Sequence, residues 1–577
     1  MSKFIRINTR EKTHTVDTPS DELMALGGRG LTSKMILDEV PATCHALGKS
    51  NKLVIAPGLL SGSPATNSGR LSVGAKSPLT GGIKESNSGG TVSQKLAKLG
   101  IKALVLEDKP ETSDHFSIIV ITKDGVTIES GDAYAGLGTN KTVAALQEKF
   151  GKKAGVMCIG GAGEQRLSAA SIQVADPNGR PGRAVGRGGM GAVLGSKGVK
   201  AIVVDDQGAG KVAIADPEAF KAANKAWTKL ITDHPVSGQA LGEYGTAVLV
   251  NIINEAGSLP TKNFRSGRFD HAKNISGEKL NETISERKGI VKEGCHPGCV
   301  IKCSQCYNDK DGNVLTSGFE YETIWAFGSH AMIDNLDDIA AMDAICDDVG
   351  IDTIDTGVTI GIAMEAGIIQ WGDAKGAIEL LKKVGTNDGM GRIIGSGAAF
   401  AGQALGVDRV PVVKKQALPA YDPRSVKGVG ITYATSPQGA DHTAGYAVTA
   451  NVLGVGGTID PLKKEGQIDL SKNLQIATAA IDATGLCLFV AFPVLDAENG
   501  VPLIVDMLNA QYGLSLTPDD VVSLGISILE NENAFNRKAG FTAKDDQLPE
   551  MFNEPFPPHD VTWGFSNDEL QQAKTFQ

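Results

Sequence analysis

Gly294-Cys295-His296-Pro297-Gly298-Cys299-Val300-Ile301-Lys302-Cys303-Ser304-Gln305-Cys306 places four of the chain's eight cysteines within twelve residues. The N-terminus lacks the apolar core and cleavage site of a signal peptide, so this density predicts bound metal rather than disulfides, and the cytoplasm is the expected compartment. Gly294, Pro297 and Gly298 disfavour a regular helix and favour a tight loop that turns several thiolates towards one centre. A redox cluster and a structural zinc knot are the two readings of this stretch alone.

The surrounding chain sets the scale. At 577 residues it exceeds one hydrophobic core, so two to four domains are expected. A net charge of −10 argues against a broad nucleic-acid surface, and the balance of 41% hydrophobic with 21% charged residues predicts neither disorder nor a membrane span. Glycine is over-represented, at 71 residues, and concentrates in the first two hundred positions, which predicts backbone packed closely there.

From Phe4 to about Val203, short β-rich runs such as 52–57, 103–107, 116–121, 155–159 and 201–205 alternate with glycine and proline. Their spacing leaves little room for crossover helices and predicts a mainly antiparallel β domain with a few helices, one over 91–99. The texture changes after Asp205-Asp206. Helices are predicted over 217–234, 238–255, 322–348, 353–366, 374–383 and 397–406, then, after a Val410-Pro411 connector, over 470–483 and 518–535. The expected architecture is therefore α+β and multidomain: residues 1–208 as a β-rich domain, and 209–410 and 411–577 as two mainly α-helical domains. No repeat of 20 to 50 residues is apparent. The proline-rich tail from Asp545 is expected to wrap the surface.

Two loops in the β-rich part carry arginine among glycines: Ser68-Gly69-Arg70 with Asn87-Ser88-Gly89-Gly90, and Arg183-Ala184-Val185-Gly186-Arg187-Gly188-Gly189. The second contains Gly186-x-Gly188-x-x-Gly191 but lacks the preceding apolar strand and the following long helix of a dinucleotide site. What remains is an anion cradle of backbone amides and guanidinium groups, or simple turns with solvated arginines. Further on, Asp347-Asp348-Val349-Gly350 and Asp482-Ala483-Thr484-Gly485 share the form Asp-x-x-Gly. Each alone is a helix-ending pattern; the pair, with Cys487 just beyond the second, suggests a paired ligand whose ring N–H groups meet the carboxylates.

Taken together, the cysteine cluster with distant Cys487, the duplicated Asp-x-x-Gly, Phe319-Glu320-Tyr321-Glu322-Thr323 and both glycine–arginine loops resemble the aldehyde ferredoxin oxidoreductase family over nearly the whole chain. The resemblance implies tungsten or molybdenum held by two pterins, a 4Fe-4S cluster, and interconversion of aldehydes and carboxylates. It implies Cys295, Cys299, Cys303 and Cys487 as cluster ligands. The family spacing is commonly Cys-x2-Cys-x3-Cys, whereas the first gap here is three residues, so Cys306 stays open as a substitute. Asp347, Ile351 and Asp352 would address one pterin, and Asp482 with the backbone around Leu486 the other. Arg70, Asn87, Gly89, Arg183, Ala184, Gly186 and Arg187 would hold the phosphates and a bridging magnesium, which the carbonyls of Asn87 and Ala184 would face.

For catalysis the resemblance points to Glu320, Glu322 and His442. Aldehyde oxidation needs a group that activates water and a donor that polarises the carbonyl; Glu322 is the favoured glutamate and His442 the donor. Ferredoxin or a small iron–sulfur subunit is the expected electron acceptor. Reduction of an aromatic thioester is the alternative within the family, and a zinc-stabilised binding protein the alternative outside it. The only Glu-x-x-His matches, Glu11 to His14 and Glu293 to His296, lie outside predicted helices, so any homodimer is expected to lack a helical metal bridge of that kind.

Overall fold

The β-branched runs of the first two hundred residues form two six-stranded sheets in the computed structural model, which describes residues 3–112 and 115–576. The first contains β1 (Lys3–Asn8), β2 (Thr13–Asp17), β3 (Leu53–Pro57), β4 (Leu71–Lys76), β5 (Ile83–Ser88) and β6 (Ile101–Glu107), in the order β2-β1-β6-β3-β4-β5. The second contains β7 (Ser117–Thr122), β8 (Gly125–Ser130), β9 (Gly155–Cys158), β10 (Ile172–Val174), β11 (Arg183–Val185) and β12 (Val199–Val204), in the order β11-β10-β9-β12-β7-β8. These are the same topology read in opposite directions. Each opens with a hairpin, and in each the sixth strand returns to lie parallel to the first and antiparallel to the third. The sheets are thus mainly antiparallel, as expected, with one parallel pair apiece.

The repeat runs from Lys3 to Ser117, longer than the periods of solenoid repeats, which is why it escapes a short-period reading. Its register is informative. Leu71 pairs with Ser88 and Ser72 with Asn87 in the first sheet; Ile172 pairs with Val185 and Gln173 with Ala184 in the second. Asn87 and Ala184 therefore occupy equivalent positions. Their strands, β5 and β11, face each other, with the Arg187 N–H donating to Ser86 Oγ at 3.3 Å and Ser77 Oγ donating to the Gly188 carbonyl at 2.7 Å.

The rest of the chain is mainly helical. Asp216 caps the helix Pro217–Asp233 by accepting from the Ala219 N–H at 3.0 Å, with proline in the first turn where its missing donor costs nothing. The single helix expected over 322–348 is instead two, Tyr321–Phe327 and Leu336–Val349. A side chain at Gly328 would come within 2.2 Å of the Ile324 carbonyl, so the chain turns there, and Asn335 restarts it by accepting from the N–H groups of Asp337 and Asp338. The helix expected over 238–255 is likewise interrupted, at Gly245 with φ of 61°. Helices Gly28–Glu39 and Thr139–Phe150 had no counterpart in the sequence reading, because the first buries Arg29, Thr32 and Ser33 as well as apolar residues and so shows no clean stripe. The tail does not merely wrap the surface: Phe552, Phe556 and Trp563 are buried, and the Arg424 guanidinium lies over the Phe552 and Phe556 rings at 5.2 and 4.2 Å.

A buried ion pair joins the helix Gly28–Glu39 of the first sheet to the long helix Pro518–Lys538. Arg29 Nε and Nη2 donate to the two Glu532 oxygens, both at 2.8 Å, and Ser33 and Gln438 complete that carboxylate at 2.9 and 3.0 Å. Removing one member strands a buried charge, at a cost of about 3–5 kcal/mol. Glu532→Ala should lose stability on that scale in denaturant titrations, whereas Arg29→Met with Glu532→Met should recover part of it, Asp482 losing its 3.3 Å contact from Arg29 Nη1; equal losses in both variants would contradict this account.

Candidate active site and cysteine centre

Strands β13 (Ile290–Glu293) and β14 (Ser304–Asn308) pair antiparallel, with β15 (Val314–Ser317) alongside β14. Their pairing of Glu293 with Ser304 closes the loop that carries Cys295, Cys299 and Cys303. That loop rests on the two glycine-bearing segments of the first sheet. The Gly90 N–H donates to the Cys295 carbonyl at 2.8 Å, a side chain at Gly89 would meet Cys295 Sγ at 3.2 Å, and one at Gly69 would meet the His296 ring at 2.3 Å. Close backbone approach to the cysteine loop explains these two glycines.

Asn67, absent from the sequence reading, ties the loop to Cys487. It is fully buried in the left-handed region, φ 63°, which asparagine tolerates. Its N–H donates to the Gly298 carbonyl at 3.1 Å and its own carbonyl accepts from the Cys487 N–H at 2.9 Å. Its side-chain oxygen accepts from the Val300 N–H at 3.0 Å, while its amide nitrogen lies 3.7 Å from Cys299 Sγ.

Four thiols share one electrostatic neighbourhood. Hydrogen bonding between Cys295 and Cys299 lowers the first thiol's pKa, with Arg70 and Arg183 assisting, and raises the second's. Burial, together with Glu320, Cys295 and Cys487, raises that of Cys303; burial also pushes Cys487 up to about 11 against the pull of Arg70. Cys306 stands apart on β14, where its charged neighbours are Arg180, Glu293 and Asp176. Cys295, His296 and Cys299 place ligand atoms within 4.8 Å of one another, but no fourth ligand completes so compact a set among the described residues.

The echoed Asp-x-x-Gly motifs end two helices, Leu336–Val349 and Gln467–Thr484, whose capping glycines Gly350 and Gly485 have φ of 71° and 81°. Both caps dock into the same loop of the sheet repeat. The Gly350 carbonyl accepts from the Ser171 N–H at 2.9 Å, just before β10; the Gly485 carbonyl accepts from the Arg70 N–H at 3.0 Å, just before β4. Gly58 after β3 and Gly160 after β9 take the facing positions, where a side chain would lie 2.1 Å from the Gly485 nitrogen or 2.4 Å from the Val349 carbonyl. Ile351 continues the contact by bridging to Ala170, and buried Leu486 precedes Cys487.

Burial raises both motif carboxyls: that of Asp347 with help from Asp343, and that of Asp482 to about 6 despite Arg29 and Arg70. Asp352 caps the helix Thr353–Glu365 and receives Arg187 Nε at 3.3 Å. The remaining Arg187 nitrogens donate to the Ala440 and Ala417 carbonyls at 2.8 and 2.6 Å, so this guanidinium braces the second loop against 417–440. Arg70 Nε donates to Asn87 Oδ1 at 2.5 Å and lies between the thiols and Asp482. Arg183 reaches Ser304 at 2.7 Å and Glu320 at 3.5 Å, leaving Nε buried without a partner. Asn87, Ala184 and Gly186 keep partial exposure among buried neighbours, and a side chain at Gly186 would meet nothing closer than 3.7 Å.

The two glutamates face different centres. Glu320 accepts from Thr246 Oγ1 at 2.7 Å on the Arg183 and cysteine side, and burial raises its carboxyl. Glu322, in the first turn of the next helix, accepts from the Ala420 N–H at 3.0 Å and has its other oxygen 3.4 Å from His442 Nε2. Burial pushes Glu322 up to about 8, aided by Asp441 and Asp352, and pushes His442 down to about 4. At neutral pH the carboxyl therefore holds the proton and the imidazole is neutral. Asp441 beside it stays ionised: burial opposes its charge, but Lys84 at 2.8 Å and Arg187 outweigh burial.

Glu322 Oε1 and His442 Nδ1 are buried without hydrogen-bond partners, as is Arg183 Nε. These orphans, with the open space at Gly186, fit a polar, anionic group seated between the sheets and the helices. Beyond His442, Tyr446 leads to an apolar cavity lined by Leu474, Ile481, Phe489 and Phe492.

A duplicated β scaffold, four cysteines in one electrostatic neighbourhood and a buried carboxyl–imidazole pair characterise this fold and site. The N-terminal model of the aldehyde ferredoxin oxidoreductases matches residues 4–206, and the model of domains 2 and 3 matches residues 222–574. The chain belongs to the aldehyde ferredoxin oxidoreductase family. It is 36% identical to the tungsten-containing aldehyde ferredoxin oxidoreductase of Pyrococcus furiosus, over 96% of this chain and 92% of that one. The Thermococcus kodakarensis enzyme of the same description gives the same identity and coverage. The WOR-like subunit of a Pyrococcus furiosus aliphatic sulfonate oxidoreductase is 27% identical, over 99% and 92% of the two chains. The active-site complex of benzoyl coenzyme A reductase shares the fold, with TM-score 0.82 and 19% identity over 99% of this chain and 93% of that one. Among the described residues no helix is long and apolar enough to cross a membrane.

Truncating Asn67 removes the acceptor of the half-buried Val300 N–H, a loss of about 0.5–1.5 kcal/mol. In metal-free protein, Asn67→Ala should accelerate alkylation of Cys299 severalfold and leave Cys306 unchanged, read by mass spectrometry; uniform labelling rates would contradict the tether.

Proposed function

We propose that the chain interconverts aldehydes and carboxylates at a tungsten or molybdenum centre held by two pterins. Cys295, Cys299, Cys303 and Cys487 would hold a 4Fe-4S cluster, which would supply one-electron transfer to ferredoxin or a small iron–sulfur subunit. The observation that carries this reading is the Glu322–His442 pair, buried with unpartnered atoms, in a chain whose Cys295, Cys299, Cys303 and Cys487 share one electrostatic neighbourhood. Residues 1–208 seat the pterins, and 209–410 and 411–577 close over them. Asp347, Ile351 and Asp352 serve one pterin, and Asp482 and Leu486 the other; Arg70, Gly89, Arg183 and Gly186 border the phosphates, with Arg187 as the brace. The register equivalence of Asn87 and Ala184 supports a magnesium shared between the two halves, faced by their carbonyls.

When bound, the metal–pterin group accepts the electron pair released from the carbonyl carbon. The protein's part is proton handling and orientation. Conversion of an aldehyde and water to a carboxylic acid releases two protons and two electrons. Glu322, as carboxylate, takes a proton from the water. His442, neutral, donates an N–H to the carbonyl oxygen, and Asp441 with Lys84 holds its loop. Aromatic thioester reduction has only a likeness of fold behind it. We place the enzyme in the cytoplasm; a homodimer would not use a helical Glu-x-x-His bridge, since His14 lies on β2 and His296 in the cysteine loop.

Protein purified without oxygen should contain about four iron and one tungsten or molybdenum per chain; zinc alone would sink the redox reading. Cys487→Ser should lower the iron content, and Cys306→Ser should not. With a viologen dye, aldehyde oxidation should rise with pH through an inflection near 8, as Glu322 loses its proton, with no histidine limb between pH 5 and 7. Glu322→Gln should remove that inflection and cut turnover by roughly 10²–10⁴-fold, with metal content retained.

A further inference from the structure

The exposed tip of the cysteine loop, Pro297 and Gly298, forms one edge of a cleft of about 480 Å³. Its other walls come from residues 62–65, the helix Val92–Lys98, the segment around 147–154, and Asp176, Pro177 and Asp206. The cleft is basic: Lys95, Lys98, Lys152 and Lys153 line it against only Asp176 and Asp206, in a chain of net charge −10. Both aspartates are engaged. Arg180 binds Asp176 at 2.9 Å, and Lys95 and Lys98 hold Asp206 between them. Lys152 and Lys153 are exposed and make no ion pair among the described residues, so they present uncompensated charge to whatever enters.

The position of this charge matters as much as its sign. Of the four grouped thiols, Cys295, Cys303 and Cys487 are buried, whereas Cys299 is only half-buried, and it immediately follows Gly298 at the cleft edge. Cys299 is thus the most exposed of the four thiols and the one joined directly to the residue that lines the cleft. Electron tunnelling falls steeply with distance, so a carrier seated here would have a short route to the centre.

We infer that the cleft is the docking site of an acidic one-electron carrier, an iron–sulfur protein whose redox centre lies beneath an acidic surface, and that electrons leave on the Cys299 side. This rests on the proposed cluster. Oxidation of one aldehyde yields two electrons, so two oxidised carriers dock in turn, each leaves reduced by one electron, and two protons are released to water. Exposed rim charges act chiefly by steering encounter and setting its salt dependence.

The test uses the holoenzyme, a purified ferredoxin of net negative charge, and the variant Lys152→Glu/Lys153→Glu, whose changes touch no partnered side chain. Isothermal titration should show ferredoxin binding weakened about tenfold or more at low salt, with a flatter salt dependence, and the KM for ferredoxin should rise in parallel. Viologen-coupled aldehyde oxidation and iron content should stay at wild-type values. Unchanged ferredoxin affinity and salt dependence would overturn the docking site. Absence of viologen-coupled aldehyde oxidation from the wild type would instead overturn the proposed reaction, while the titration still reports on docking.

Discussion

Two backbone hydrogen bonds set the layout of this protein: Ser171 N–H to the Gly350 carbonyl and Arg70 N–H to the Gly485 carbonyl. Each fastens the end of a helix into the loop between the third and fourth strands of one sheet repeat. Because the repeats are equivalent, the helix ends arrive in equivalent poses, each bringing an aspartate one turn ahead of its glycine. The glycines are required on both sides of the contact, where the facing backbones leave no space for a side chain. Function then needs little more than asymmetry added to this frame, and the second helix end supplies it by running directly into Cys487.

Desolvation is the common electrical theme. It raises the carboxyls of Glu85, Glu320, Glu322, Asp343 and Asp482, and it lowers the imidazole of His442. Asp441 and Glu532 escape because the attraction of their cations, Lys84 at 2.8 Å and the two-pronged Arg29 at 2.8 Å, outweighs burial, which the longer contacts of Arg29 to Asp482 at 3.3 Å and Arg183 to Glu320 at 3.5 Å do not. At Glu322 and His442 burial leaves a carboxyl that titrates near 8 beside a neutral imidazole, which keeps proton exchange near neutrality accessible.

Much of this was legible in the sequence. The cysteine spacing, Cys487, the two Asp-x-x-Gly motifs and the glycine–arginine loops are local signals, and a local signal survives without coordinates. Their physical meaning was less legible: the motif glycines are helix caps, and Arg187 is spent on Asp352 and two carbonyls. The sheet duplication went unread because its period exceeds a hundred residues and its strands share topology rather than side chains. Asn67, Arg29 and Glu532 were invisible for a related reason, since each acts through partners more than 200 positions away. The helix Gly28–Glu39 buries charge and hydroxyls on a face that periodicity expects to be oily.

The placement of Cys487 also bears on how the molecule is made. Cys303 and Cys487 are separated by 184 positions of sequence, yet Asn67 joins their neighbourhoods from near the other end of the chain. During synthesis, three thiols emerge early and the fourth arrives only once the helix Gln467–Thr484 has been translated and seated. The thiol set is thus completed late, and an unfinished or misdocked chain presents three thiols instead of four.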